Sequence, residues 1–445
     1  MQSTRHEAHA DTPSLSAGLG LRTRLAAALA LALAGLPVAH ASELGELLQQ
    51  TLTHPSIEAR AQDTLAAREA LAAQTSRYFG GGGAYADVQR YDEARFTGVL
   101  TSASLASPPF ARDQYRYGVS YMLPIDVFGA VAAARSRAKQ DLAVAELAER
   151  QTSLLKLHQA TSAYVELQAL QRRLGALRVQ HERLALTAER VRREVEIQQS
   201  SQLDQHLIES ELARLRADEA RLQAAVGAAE AALKEASGHE GTIRDADTPI
   251  PTWPLTREAT LPERSADAHG AAAEAQAREA WRRLWPSLSA VADYTHFDGR
   301  YDGGARAEPD TWSVGARLSI PLDAAAVRQA RAASAQAEVA AQERLAVARE
   351  AERQLNSLRA SYDSAMADAE ALQQEVEYRE DVVHTQSELQ RVGLKSLEDV
   401  LHNERDLQDA TARLATARAQ AVAAWSAAAV LRGIGDEQYI ASFQR

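Results

Sequence analysis

Residues 389–433 read LQRVGLKSLEDVLHNERDLQDATARLATARAQAVAAWSAAAVLRG. The spacing predicts a helix reaching Arg391, a tight turn at Val392-Gly393-Leu394-Lys395-Ser396, and a second helix returning. On the return, Leu407, Ala410, Leu414, Ala417, Ala421, Ala424, Ala428 and Leu431 recur at alternating spacings of three and four. A seam period near 3.5 residues belongs to left-handed coiled-coil packing. The same stretch occurs 195 residues earlier: Ser201 matches Ser396, Asp204 matches Asp399, Glu209 matches Glu404, Leu212 matches Leu407 and Gly238 matches Gly433. One unit is used twice.

A chain of 445 residues has room for two or three ordinary domains, but a duplicated unit argues for one architecture in two halves. Charged residues make up 24% and apolar ones 46%, with Ala dominant, a composition that suits long helices. The net charge of −11 argues against nucleic acid, which needs a concentrated basic surface. Cysteine is absent, which excludes disulfides, thiolate metal sites, a cysteine nucleophile and a lipid anchor on cysteine.

Residues 1–41 carry the marks of a secretory signal peptide. Arg22 and Arg24 precede the apolar run LAAALALALAGLPVA, which ends in Ala39-His40-Ala41 before Ser42. The run is too short for a spanning helix, which takes about 20 apolar residues. Nothing later reads as a membrane helix, so entry into a membrane is expected through strands.

The first repeat is expected over 42–238. A helix at 43–76, broken or kinked near His54-Pro55, ends at Gly80 to Gly83, a run expected to be a flexible passage. No Lys-Ser/Thr follows those glycines, so they do not make a phosphate loop. A strand pair follows within 84–125. Its second strand, Tyr115 to Leu123, alternates strictly. Tyr115, Tyr117, Val119 and Tyr121 share one face, and Arg116, Gly118 and Ser120 the other. The second repeat, 264–433, carries its own strand pair within 287–320, where Trp312, Val314 and Leu318 oppose Ser313 and Arg317. Period-two alternation marks half-buried strands. Each pair exits through a proline and an aspartate, Pro124-Ile125-Asp126 and Pro321-Leu322-Asp323. The proline is expected to end the pairing and the aspartate to cap the next helix. Of 23 aromatic residues, 16 lie within 78–128 and 281–312, a clustering that a soluble sandwich burying its aromatics and an interfacial aromatic belt both produce.

Each strand pair leads into a long helix of some 70 residues, or roughly 105 Å, and a return helix of half that length. Residues 239–263, with four prolines, form a linker, and 434–445 a tail. Each long rod needs partners along its whole length. The first return helix with 264–285 supplies them in one half, and the helix 43–76 is expected to extend the second return helix beside the other rod. The expected fold is mainly α with a small β part. Four strands with an apolar face cannot leave their edges open in lipid, so copies must join until the sheet closes. Three chains give a twelve-stranded barrel wide enough for a pore.

No G-x-S-x-G, H-E-x-x-H or Walker-type loop is present, and the twelve histidines are scattered. No catalytic, cofactor or metal residue is assigned. A periplasmic coiled-coil adaptor also shows a helical hairpin, but it would carry one hairpin rather than two with strand pairs.

These residues resemble the TolC-like outer-membrane efflux proteins. The resemblance rests on Val392-Gly393-Leu394-x-Ser396-x-x-Asp399-Val400-Leu401, on Leu431-x-Gly433 and on the two Pro exits. It implies a homotrimer with a β-barrel in the outer membrane continuing as an α-helical tunnel through the periplasm. Substrates would arrive from an inner-membrane pump, of the resistance-nodulation-division type, through a periplasmic adaptor; a type I protein secretion duct is the alternative. The tip Val392, Gly393, Leu394 and Ser396 would dock the adaptor. Asp204, Lys395, Glu398 and Asp399 would form the periplasmic gate, with Lys395 pairing to Asp204. Carboxylates at 398 and 399 also suit simple capping of a helix start. Arg116, Ser120, Ser313 and Arg317 would face the lumen, and Tyr115, Tyr117, Tyr121, Trp312, Val314 and Leu318 the lipid. Two departures stand out. The first tip reads Ile197-Gln198-Gln199-Ser200-Ser201, without glycine, and the position one turn beyond Asp399 is His402 rather than a second aspartate.

Overall fold

The computed structural model describes residues 43–99, 102, 105–199, 201–239, 243, 248–253, 258–301, 310–392 and 394–444. Residues 1–41, expected to be a signal peptide, and Gly393 lie outside these. In chain order the elements are α1 (Glu43–Thr51), α2 (Pro55–Ser76), β1 (Gly81–Phe96), β2 (Phe110–Ile125), α3 (Ala130–Glu196), α4 (Gln202–Ser237), α5 (Leu261–Arg282), β3 (Ser287–Tyr301), β4 (Asp310–Ser319), α6 (Ala324–Arg391), α7 (Leu397–Arg432) and α8 (Asp436–Ala441). The duplication holds in three dimensions. The long helices α3 and α6 have 67 and 68 residues, about 100 Å each. Their return helices have 36 apiece.

The helix ends follow from local chemistry. Ser201 and Ser396 cap α4 and α7, each hydroxyl accepting a backbone N–H three residues on. Both return helices end on a glycine with positive φ, Gly238 at 72° and Gly433 at 64°. At Gly433 space decides as well: an added Cβ would lie 2.2 Å from the Arg264 guanidinium and 3.0 Å from Leu261.

The strands form one antiparallel sheet in the order β1-β2-β3-β4. Gly81, Gly82 and Gly83 belong to β1, paired with Met122, Tyr121 and Ser120. The expected flexible passage is therefore ordered strand. Close approach requires glycine just before the strand, where Gly80 has φ 72° and a Cβ on it would lie 2.3 Å from the Met122 carbonyl oxygen, whereas a Cβ on Gly81 would meet nothing within 4 Å. Pro124 ends pairing only on the β1 side; on the other side Pro124 and Ile125 still pair with Ser289 and Leu288. The aspartates do cap. Asp126 accepts the N–H groups of Val131 and Ala132, and Asp323 that of Ala325.

Helix order copies strand order. α2 feeds β1, β2 feeds α3, α5 feeds β3 and β4 feeds α6, so in the upper wall α3 packs between α2 and α5, and α5 against α6. The helix 43–76 thus lies along α3, with Arg68 and Glu146 3.8 Å apart, and not beside α6 as expected. Its strand sits at the β1 edge, three strands from the one that launches α6. In the lower wall α4 and α7 flank α3, and α6 packs on α7.

The main core lies at the middle of the helices. Leu154, Leu157 and Leu167 of α3, Leu233 of α4, and Val422 and Trp425 of α7 pack there. The expected tail is part of it: α8 buries Tyr439 completely, and Phe443 follows it into the cluster. α7 is long and apolar enough to cross a membrane by composition, contrary to the expectation that no later helix would be, but its seam residues are spent on neighbouring helices. The linker is shorter than expected, because α5 starts at Leu261 with Pro262 in its first turn and Thr260 and Glu263 forming a capping box. Its stretch 248–253 crosses three helices. Thr248 donates to Gln168 of α3, Trp425 of α7 to the Thr252 carbonyl, and Tyr362 of α6 to the Pro251 carbonyl.

Candidate tunnel entrance and barrel wall

The two hairpin tips are built alike. Ile197 (φ −96°, ψ 13°) and Val392 (φ −91°, ψ 7°) end their helices in the same conformation. Each turn is then closed by one wide backbone bond, from Gln199 N–H to the Glu194 carbonyl (2.7 Å) and from Leu394 N–H to the Leu389 carbonyl (2.9 Å). That is the outer bond of a Schellman ending, which asks for a left-handed residue just before the donor. In the first tip this residue is Gln198, at φ 61°. The absence of a glycine has not changed the turn.

Val392 and Leu394 are exposed at about 70% each. Gly393 lies outside the described residues. Ser396 is spent on the α7 cap, where it holds the Asp399 N–H at 3.1 Å. The residues expected to form the gate divide between two tasks. Asp204 completes a capping box, receiving the Ser201 N–H at 3.3 Å and its hydroxyl at 2.7 Å. Lys395 stands 4.0 Å from Asp399 on its own hairpin, so within one chain its carboxylate neighbour is Asp399 and not Asp204. Glu398 is exposed in the first turn of α7. The hydrogen bond from Ser396, and then the charge of Lys395, hold the Asp399 carboxyl below the usual carboxylate range. His402 is turned toward Asp406, at 3.8 Å.

The sheet sorts its side chains as the alternation predicts. Cross-strand partners share a face, and the register runs Val119–Tyr294–Trp312, then Tyr121–Ala292–Val314, then Ile125–Leu288–Leu318. Tyr115 and Tyr117 continue this apolar face, Tyr117 stacking on His296 with centroids 4.7 Å apart. The opposite face runs Ser120–Asp293–Ser313 and Pro124–Ser289–Arg317. There Arg116 bonds Asp87 at 2.8 Å and leans over the Tyr85 ring. Both faces have exceptions: Asp310, held by Tyr294 and His296, lies at the end of the apolar one, and Phe297 lies on the polar one.

Sequence reasoning missed one polar contact near the tips. Arg405 of α7 grips Glu211 of α4 through two bonds, 2.7 and 3.0 Å, and the Glu211 side chain is only 6% exposed. Glu211 occupies the repeat position of Asp406, whose partner is Arg379 of α6. The repeats therefore spend the equivalent carboxylate differently, a distinction that heptad spacing does not carry.

Comparison with known proteins follows the same lines. Residues 264–433 match the model of the outer membrane efflux protein family. No curated protein sequence is significantly similar to this chain. Among solved structures, the outer membrane protein VceC of Vibrio cholerae superposes with a TM-score of 0.71 at 20% identity, covering 88% of this chain and 96% of that one. CusC, described in the context of transmembrane channel formation, gives 0.73 at 15% identity over 88% and 92%. The open outer membrane channel MtrE of Neisseria gonorrhoeae gives 0.70 at 14% over 88% of both chains. The second repeat is thus similar to the outer membrane efflux protein family, and the chain as a whole shares the fold of these outer-membrane channels.

Proposed function

We propose that this protein is the outer-membrane channel of a tripartite efflux system, a passive duct that assembles from three copies. One observation carries the reading: the chain has the same two open sides in its sheet and in its wall. On one side lie the β1 edge, α2 and α4; on the other lie the β4 edge and α6. A single rotation that seats β4 of one copy beside β1 of the next also brings α6 against the next copy's α2 and α4. This is head-to-tail association, which closes into a ring. Lipid offers nothing to the unpaired edge groups, so closure is obligatory in a membrane. Exposed Val339, Leu345 and Tyr378 on α6 supply an apolar surface for that contact.

In this reading residues 1–41 direct export, the aromatic face lies in the outer membrane, and the hairpins extend through the periplasm. Exposed Val392 and Leu394 meet a periplasmic adaptor, behind which stands a pump of the resistance-nodulation-division type. Three copies of Asp399 about one axis make an acidic entrance that attracts cations. Mass measurement of the full protein in mild detergent tests the assembly. A trimer that conducts in planar bilayers is expected, and a stable, detergent-independent monomer would refute it.

A further inference from the structure

The sheet meets the helices through a narrow band of chain, residues 70–81, 124–140, 275–287 and 319–337. That band holds nine Arg and Lys against three acids, a net charge of +6, in a chain whose total is −11. The acids are already occupied: Asp126 and Asp323 cap α3 and α6, and Glu279 is held between Arg137 and Arg283. Six of the cations, Arg77, Arg135, Lys139, Arg282, Arg328 and Arg331, are exposed and have no carboxylate partner among the described residues.

The helices themselves do not ask for these charges. Arg135 and Lys139 lie one turn apart on α3, and Arg328 and Arg331 one turn apart on α6, so like charges share a face and repel. A cation near a helix start gains nothing from the helix dipole. What lies beside them is apolar. Phe79, Val127, Trp285 and Leu322 are exposed at the same junction. The Arg282 guanidinium lies 5.5 Å from the Trp285 ring centroid, and Phe128 packs against the same ring. Exposed aromatic rings with basic groups beside them mark a boundary between membrane and water.

Resting on the conduit reading above, we propose that these six cations form a collar that binds the phosphate headgroups of anionic phospholipid in the leaflet facing the periplasm. The connections from β1 to β2 and from β3 to β4 leave the opposite end of the sheet, so the helix end is the one that meets this leaflet. Counted from the first residue of α3 and of α6, the four paired cations lie about 6–14 Å along the helix. The polar layer of a bilayer is about 5–8 Å deep on each side, and attraction between charges carries about 8 Å further. Long basic side chains also lean back toward such a layer. A guanidinium meets a phosphate through two parallel hydrogen bonds, and a cluster of basic residues beside a membrane segment is what anionic headgroups attract. Head-to-tail closure repeats the collar in every copy, so the ring carries charge opposite to that of the chain as a whole.

Full-length protein in vesicles of phosphatidylcholine containing roughly a third phosphatidylglycerol provides the test. Bromine-labelled lipid of either kind quenches tryptophan on contact, and Trp281 and Trp285 are exposed at the junction. At low salt, labelled phosphatidylglycerol should quench several-fold more effectively than labelled phosphatidylcholine, and high salt should make the two equal. The combined variant Arg135→Gln, Lys139→Gln, Arg328→Gln and Arg331→Gln should insert as wild type does and lose most of the preference. Equal quenching by both lipids in wild type at low salt would overturn the collar. A preference that the variant retains in full would overturn it too, and a shift of ion selectivity in that variant would then place the four cations in the lumen. Wild-type protein that inserts into neither kind of vesicle would instead overturn the conduit reading.

Discussion

Gln198 in the first tip stands at the repeat position of Gly393 in the second, and it takes a left-handed backbone, φ 61°, to do so. Left-handed geometry costs an L-residue about 1–2 kcal/mol relative to glycine. Gln198→Gly should therefore stabilise the first turn by about 1 kcal/mol, and Gln198→Val should weaken it by more, because β-branching worsens the crowding. Hydrogen exchange at the Gln199 amide, which closes the turn onto Glu194, reads both changes. Equal protection in the three proteins would show that the turn stores no strain.

The strand faces predict an asymmetry between two classes of substitution. Tyr117→Arg and Leu318→Arg place charge on the apolar face and should cost on the order of 2–4 kcal/mol if they sit near the bilayer midplane. Arg116→Ser and Arg317→Ser lie on the polar face and should leave insertion intact. Arg116→Ser also leaves Asp87 without its 2.8 Å partner, so cation preference should rise. Unfolding from lipid vesicles measures the first effect and reversal potentials in bilayers the second.

At the entrance, Asp399 has its carboxyl pulled below the usual range by Ser396 and Lys395. Its folded value lies below its unfolded one, so its charge persists through mild acid and disappears only as pH falls through that lowered value. Cation preference should hold down past about pH 3.9, the ordinary aspartate value, and then decline. Ser396→Ala should move the decline to higher pH. An Asp399→Ala channel with wild-type selectivity at neutral pH would return this residue to capping alone.

A different pH response belongs to the middle of the helices. His158 is half-buried beside the Ser426 hydroxyl, 2.8 Å away, and its desolvation lowers its pKa. The unfolded chain takes up that proton near pH 6.5 while the folded one resists. The contribution to stability is complete above about pH 6.5 and shrinks as pH falls toward the folded value. His158→Asn should flatten this part of the stability profile between pH 7 and 5, read by thermal unfolding in detergent.

α8 gives the largest expected loss. Tyr439 is fully buried, shares hydrogen bonds with Thr161 and Ser426, and packs its ring on Trp425 and Phe443. Burial pushes its hydroxyl well above the ordinary tyrosine value. Tyr439→Ala should cost about 3–5 kcal/mol, and Tyr439→Phe much less, in denaturant unfolding of the detergent-solubilised protein.

Periodic features were legible in the sequence because periodicity is local. The heptad seams, the alternating strands, the twofold repeat and the two Asp caps all follow from neighbours within a few residues. What escaped depended on contacts far along the chain. Gly81 to Gly83 read as loop until Met122 and Tyr121 supplied partners. The short stretch around Tyr439 has too few turns to show a period, and its burial depends on Thr161 and Ser426. Likewise, the side of α3 that takes α2 is decided by strand order, which no helix spacing encodes. Arg405 and Glu211 sit 194 residues apart, each indistinguishable by spacing from a solvated charge.

The seam of a duplicated protein is ordinarily its most expendable part, a length of chain recording only that two copies were once fused. Here the seam has acquired a seat in both copies. Gln168, which receives Thr248, comes from the first half, whereas Tyr362 and Trp425, which hold Pro251 and Thr252, come from the second. Neither half retains a complete socket for the band without the other. A protomer divided at 248–253 would therefore leave the band's partners shared between two separate pieces.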